Sequence, residues 1–221
     1  AANATFEEVA YLLLVGHKPT LEELADFKSE LVSMRTIPQS VKDAIIRIAK
    51  NSPDAHPMAV LRTAVSLMSH ACPLCEDNSA EADMQKSMHL LAKIPTFIGV
   101  HQMALDGKDP VDPDPNLDHA ANLLWCMSGE KPHDSAAKVM DVSLVLYAEH
   151  DFNASTFTSR VIASTNSDMH SCVCGGIGAL KGNLHGGANE AAMEMLKEIM
   201  IEVEGGSNPE EFMKHAFETK K

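Results

Sequence analysis

Thr5-Phe6-Glu7-Glu8-Val9-Ala10-Tyr11-Leu12-Leu13-Leu14-Val15-Gly16 opens on a hydroxyl, sets a carboxylate three residues later, repeats its apolar side chains at three and four, and closes on glycine. Thr5 and Glu8 can exchange side-chain-to-backbone hydrogen bonds across a first helical turn. Phe6, Val9, Ala10 and Leu13 fall on one face of a 3.6-residue period, and Gly16 can take the left-handed conformation that ends a helix. The same marks recur outward. Thr20-Leu21-Glu22-Glu23 is a second capping box ahead of Leu24, Phe27 and Leu31, and Val41, Ala44, Ile45 and Ile48 repeat the period. Asn208-Pro209-Glu210-Glu211 places a cap, a first-turn proline and an acidic residue in order, while Gly129 and Gly205 stand at helix ends. No segment sustains a period of two, so the chain is predicted to be all-α, with about ten or eleven helices.

Several elements carry expectations of their own. Pro95 lies inside a long pattern from Asn78 to Leu105 and should kink or split it, because its nitrogen cannot donate to the preceding turn. The proline- and carboxylate-rich stretch Asp106 to Pro115 reads as a surface excursion rather than a domain boundary. Ser135 to Ala148 is apolar on nearly every face and is expected to lie buried within a helical bundle. The following helix should be capped at Asn153 to Thr156 and carry Phe157, Val161 and Ile162 inward. Gly175-Gly176-Ile177-Gly178 allows close helix packing, and Met213-Lys214-His215-Ala216-Phe217 reads as a short amphipathic helix.

Among the 221 residues are 18 Lys plus Arg against 31 Asp plus Glu, a formal charge of −13 that argues against nucleic acid or an anionic membrane as partner. The longest apolar stretches, Tyr11 to Val15 and Val142 to Ala148, fall well short of a membrane span. Five cysteines, an odd number, fit reduced thiols in the cytoplasm with no disulfide.

Two loops concentrate the polar chemistry: Glu149-His150-Asp151-Phe152-Asn153 and Gly182-Asn183-Leu184-His185-Gly186-Gly187-Ala188-Asn189. Each sets an imidazole and a carboxamide together, groups that orient and polarise carbonyl and carboxylate oxygens. The glycines beside His185 let backbone come close to a ligand. Taken singly, each histidine reads as a satisfied group at a helix end; as a pair of cap- or glycine-rich loops after apolar helices, they point to a concave polar site. Cys72-Pro73-Leu74-Cys75 with Cys172-Val173-Cys174 offers four thiolates to zinc, but the second pair is too closely spaced, so small packed thiols are the better reading and no metal is expected. His56-Pro57 reads as a helix start, and His170 among others shows no partner pattern.

The stretch from Met140 to Ala163, with Tyr147-Ala148-Glu149-His150-Asp151-Phe152-Asn153-Ala154-Ser155-Thr156 at its centre, followed by Leu184-His185-Gly186-Gly187-Ala188-Asn189-Glu190, resembles the citrate synthase family, most closely its bacterial 2-methylcitrate synthase branch. His56-Pro57-Met58 and Leu61-Arg62-Thr63-Ala64 fit the same pattern. The resemblance implies an all-helical homodimer whose subunits have a large and a small domain, here residues 1–185 for most of the large domain and 186–221 for the start of the small one. It implies a Claisen condensation of an acyl-CoA with oxaloacetate and hydrolysis of the thioester, with acyl-CoA as substrate and no cofactor. His185 then matches the catalytic histidine that hydrogen-bonds the thioester oxygen, while His150 and Asn153 match residues that hold oxaloacetate.

The donor implied is propionyl-CoA, giving 2-methylcitrate. The alternatives are acetyl-CoA, giving citrate, or a catalytically incomplete helical dimerisation fragment. In the family pattern a second catalytic histidine, the aspartate base and most oxaloacetate-clamping arginines come after the stretch matched here. The chain is therefore expected to be part of a longer enzyme and nearly inactive alone. His215 does not replace that second histidine, and Asp151 and Asp168 read as helix-end residues.

Overall fold

A computed structural model describes residues 3–205, 208–210, 214 and 218, without the side chains of 188–190 and 202. Of the helix expected over 213–217 only Lys214 is described, and it is helical; His215 and the Asn189 carboxamide lie outside the described residues. Among the described residues are ten helices and no strand, so the chain is all-α as its period predicts. It divides into two compact units, Ala1–Gly178 and Ala179–Lys221.

The first unit contains α1 (Phe6–Val15), α2 (Leu21–Ser33), α3 (Gln39–Asn51), α4 (Pro57–Ser69), α5 (Ala80–Leu105), α6 (His119–Ser128), α7 (Asp134–Tyr147), α8 (Ala154–Ala163) and most of α9 (Met169–Leu180). The local marks hold. Thr5 and Thr20 close both capping boxes, and Gly16 and Gly129 end their helices in the left-handed region. The Thr20 backbone N–H and hydroxyl, with His17, hold the Glu23 carboxyl down at about 2.

The long α5 is the axis of the unit. Leu90, Phe97 and Val100 meet Val41 and Ile45 of α3, Val60, Ala64, Val65 and Met68 of α4, and Ile177 of α9. Met88 and Ala92 meet Phe6, Ala10 and Tyr11 of α1 and Phe27 and Leu31 of α2. Pro95 does not split the helix, which runs unbroken from Ala80 to Leu105. A mid-helix proline costs about 3 kcal/mol. Burial of its neighbours Ala92 and Phe97 against two packed clusters outweighs that local penalty.

Helix starts are also capped from a distance. Asp141 of α7 accepts the Phe6 amide at 2.8 Å, and the buried Glu7 of α1 accepts the His119 amide at 2.9 Å, serving the orphan donors of α1 and α6. The loop between α5 and α6 is laced down by Arg35 Nη1 to the Asp114 carbonyl (2.7 Å) and Trp125 Nε1 to the Asp112 carbonyl (2.8 Å). It is an excursion within the first unit, as expected.

Two sequence expectations need correction. Helix α7 is not enclosed: Leu144, Val145 and Ala148 pack on the α1–α2–α5 cluster, but Val139, Leu146 and Tyr147 are each about two-thirds exposed. A helix apolar all round has more faces than one neighbouring layer can cover. On α8, Phe157 and Val161 are likewise exposed. Ile162 alone of the three turns inward, its Cδ1 filling the space a side chain at Gly175 would need. Ser159 occupies the equivalent space at Gly176 and donates to the Cys172 carbonyl at 3.0 Å. No described helix is long and apolar enough to cross a membrane.

His119 is buried against Phe6, with its Nδ1 unpartnered. Burial, with the Arg35 charge, pushes its pKa down from 6.5 to about 4. The unfolded chain therefore takes up this proton first as pH falls. The contribution is absent above pH 6.5, grows between 6.5 and 4 to about 3 kcal/mol of lost stability, and is constant below. Urea unfolding at pH 7 and at pH 4.5 should show His119→Gln losing less stability on acidification than the wild type; equal losses would contradict the burial of a neutral imidazole here.

Candidate active site

The first candidate loop connects α7 to α8. Helix α7 ends at Tyr147 with Ala148 as its cap, and Asn153 opens α8. Between them Asp151 adopts φ +50°, a left-handed conformation that aspartate tolerates better than most residues, and its amide donates to Glu149 Oε1 at 2.5 Å. This turn carries the exposed His150 and the half-buried Asn153 on one short segment between the two helices. The Asn153 Oδ1 accepts the Thr156 amide at 2.8 Å, which commits the acceptor end of the carboxamide to the α8 cap. What Asn153 retains for a ligand is its Nδ2 donor, suited to a carboxylate or ketone oxygen. The His150 ring is exposed, so the loop offers donors without a desolvation cost already incurred.

The second loop belongs to the second unit, between the end of α9 and α10 (Gly187–Glu204). Gly182 supplies the carbonyl for both the His185 amide (2.9 Å) and the Gly186 amide (3.0 Å), closing a tight turn that holds His185 half-buried two residues before α10. A Cβ at Gly186 would sit 2.1 Å from the Leu180 carbonyl oxygen. Only glycine fits there, because the obstacle is backbone. The sequence reading of glycine as the residue of close approach therefore holds at Gly186 for a specific neighbour. Leu184, beside the histidine, is fully exposed.

His56 caps α4 by accepting the Met58 amide at Nδ1 (3.2 Å), matching its structural reading. Asp168 is a helix-end residue as read, accepting the Ser171 amide at 2.9 Å. The four candidate zinc cysteines do not converge: Cys174 donates to the Arg62 carbonyl, and the five cysteines are free thiols. What the sequence reading missed is His170, buried at the start of α9 beside Asp168 and Cys75. The Asp168-Met169-His170 spacing on a first helical turn was the available signal.

A family model described as citrate synthase, C-terminal domain, matches residues 1–221. The chain is 48% identical over 206 residues to a 2-methylcitrate synthase of Shewanella oneidensis, covering 92% of the chain and 53% of that relative. It is 46% identical over 200 residues to a citrate synthase of Deinococcus radiodurans, covering 90% and 52%. Among solved structures, citrate synthase from Pyrobaculum aerophilum superposes with a TM-score of 0.79 at 37% identity, over 90% of this chain and 51% of that one. The ternary complex of citrate synthase from Thermoplasma acidophilum with carboxymethyl coenzyme A and oxaloacetate gives 0.82 at 30% identity, over 90% and 51%. The chain spans about half the length of the curated relatives it matches.

Proposed function

The chain belongs to the citrate synthase family, and on that premise we propose that the full-length protein condenses propionyl-CoA with oxaloacetate and hydrolyses the resulting thioester, releasing 2-methylcitrate and CoA. The observation that carries this reading is the pair of polar loops, His150 to Asn153 and Gly182 to Gly187, in a chain nearly half identical to a 2-methylcitrate synthase.

The chemical difficulty is the weak acidity of a thioester α-carbon. A proton must leave carbon while negative charge gathers on the thioester oxygen, so a donor aimed at that oxygen lowers the barrier. His185, fixed by the Gly182 turn, takes this role in our reading. The His150 ring and the Asn153 Nδ2 hold oxaloacetate as the nucleophilic carbon attacks its ketone. The base that removes the α-proton is assigned to the rest of the full-length protein. One water is consumed in thioester hydrolysis, and CoA leaves as the free thiol.

Residues 1–185 form most of a large domain and 186–221 the start of a small one in this proposal. Acyl-CoA enters as a substrate, with no resident cofactor. A homodimer is proposed from the apolar side chains that α7 and α8 leave exposed, Leu146, Tyr147, Phe157 and Val161, which a second copy can cover. A cytoplasmic location fits the free thiols.

Citrate synthases at comparable identity make acetyl-CoA the competing donor. One methylene in an apolar pocket is worth about 10- to 200-fold in kcat/KM. Measured side by side on the full-length protein, propionyl-CoA should exceed acetyl-CoA by at least about tenfold. Equal or better use of acetyl-CoA would assign the protein to citrate formation instead.

A further inference from the structure

Away from both loops, three side chains of the metal-binding types converge. Cys75 lies in the turn between α4 and α5, and Asp168 and His170 stand at the start of α9, all within the first unit. Their donor atoms lie within 4.8 Å of one another. Cys75 Sγ is 3.9 Å from His170 Nδ1, which is 3.8 Å from Asp168 Oδ1. The Cys75 thiol also hydrogen-bonds the Asp168 carboxylate, so the three groups already meet through a proton that a metal ion would replace.

We propose that Cys75, Asp168 and His170 form a binding site for one Zn2+ ion. One sulfur, one imidazole nitrogen and one carboxylate oxygen suit zinc, whereas magnesium and calcium favour all-oxygen sets. Zinc bonds are about 2.3 Å to sulfur and about 2.0–2.2 Å to nitrogen or oxygen, which sets tetrahedral donors about 3.3–3.6 Å apart. The Cys75–His170 and His170–Asp168 separations need to close by only a few tenths of an ångström. The fourth position is left to water. On binding, the Cys75 thiol releases its proton to solvent and the thiolate, the neutral His170 Nδ1 and one Asp168 oxygen bond the ion.

The surroundings pre-position these groups. Ser171 donates its amide to Asp168 Oδ1 (2.9 Å) and its hydroxyl to Oδ2 (2.5 Å), orienting the carboxylate as outer partners orient metal ligands. The His170 side chain is only 2% exposed, which restricts its ring, while Asp168 at 16% gives the ion a way in from solvent. The nearest buried cation is already engaged: Lys86 Nζ pairs with Asp83 at 2.9 Å and donates to the Asp77 carbonyl at 2.5 Å. Cys75 and His170 are 95 positions apart, so the ion ties the α4–α5 turn to the first turn of α9.

The test uses the full-length protein, stripped by a chelator and titrated with Co2+ as a visible stand-in. One equivalent should produce a thiolate-to-cobalt charge-transfer absorption that Zn2+ removes. Cys75→Ser should abolish that band, and Cys174→Ser should leave it unchanged. Competition with a chromogenic chelator should show zinc affinity falling at least about tenfold in Asp168→Asn. Because variants near a buried histidine can unfold, peptide mapping of the wild type provides a second readout: Zn2+ should shield Cys75, but not Cys174, from alkylation. No charge-transfer band at one equivalent, or alkylation of Cys75 at the same rate with and without zinc, overturns the proposal. Neither readout depends on condensing activity.

Discussion

His185→Ala in the full-length protein is expected to lower kcat for condensation about 100- to 1,000-fold, the range seen when one donor to a developing oxyanion is removed. The reason lies in what the imidazole does and what the loop does separately. The Gly182 carbonyl holds the turn through the amides of residues 185 and 186, and both bonds survive truncation of the side chain. The variant should therefore keep this backbone turn and its helical content by circular dichroism, with its main loss in the step in which charge builds on the thioester oxygen. Oxaloacetate affinity, assigned to His150 and Asn153, should change far less. A variant with near-normal kcat would remove His185 from the catalytic role; one that loses oxaloacetate binding in parallel would place it with the ketoacid instead.

The second large effect concerns the axis of the fold. Gly99 of α5 faces α6 so closely that a Cβ would lie 2.5 Å from both Cys126 Cβ and the Cys126 carbonyl oxygen, and 2.6 Å from its carbonyl carbon. A side-chain tip could rotate away, but this obstacle is mostly backbone, so α6 has to move. Overpacking of this kind costs about 1–3 kcal/mol, sometimes more, while alanine returns about 1 kcal/mol of helix propensity over glycine. Because the clash is with backbone, Gly99→Ala should be net destabilising by about 1–2 kcal/mol. Thermal and urea unfolding of the full-length variant measure this. A variant as stable as the wild type would mean that α5 and α6 are not in backbone contact at Gly99.

The parts of the fold that were readable from residues are those decided within one turn. Thr5 with Glu8, Thr20 with Glu23, and the left-handed Gly16 and Gly129 depend only on near neighbours, and each is found where it was expected. That Pro95 leaves its helix unsplit and that α7 is not enclosed share a reason. A proline's cost and a helix's apolarity are local quantities, whereas the packing that tolerates the one and leaves the other exposed is set by distant segments. The same holds for caps supplied across 112 and 135 positions, Glu7 to His119 and Asp141 to Phe6, which no spacing rule reveals. At the candidate site, Asn153 as the α8 cap and glycine at 186 were legible. The left-handed turn at Asp151, between His150 and Asn153, carries no glycine to announce it. Cys75 and His170 lie too far apart in sequence for a ligand motif.

The most direct test of the central assignment is CoA thiol release by the full-length protein from propionyl-CoA, followed with and without oxaloacetate. Release should depend on oxaloacetate and yield 2-methylcitrate in equal amount. Thiol release indifferent to oxaloacetate, or no release with either propionyl-CoA or acetyl-CoA, would contradict it.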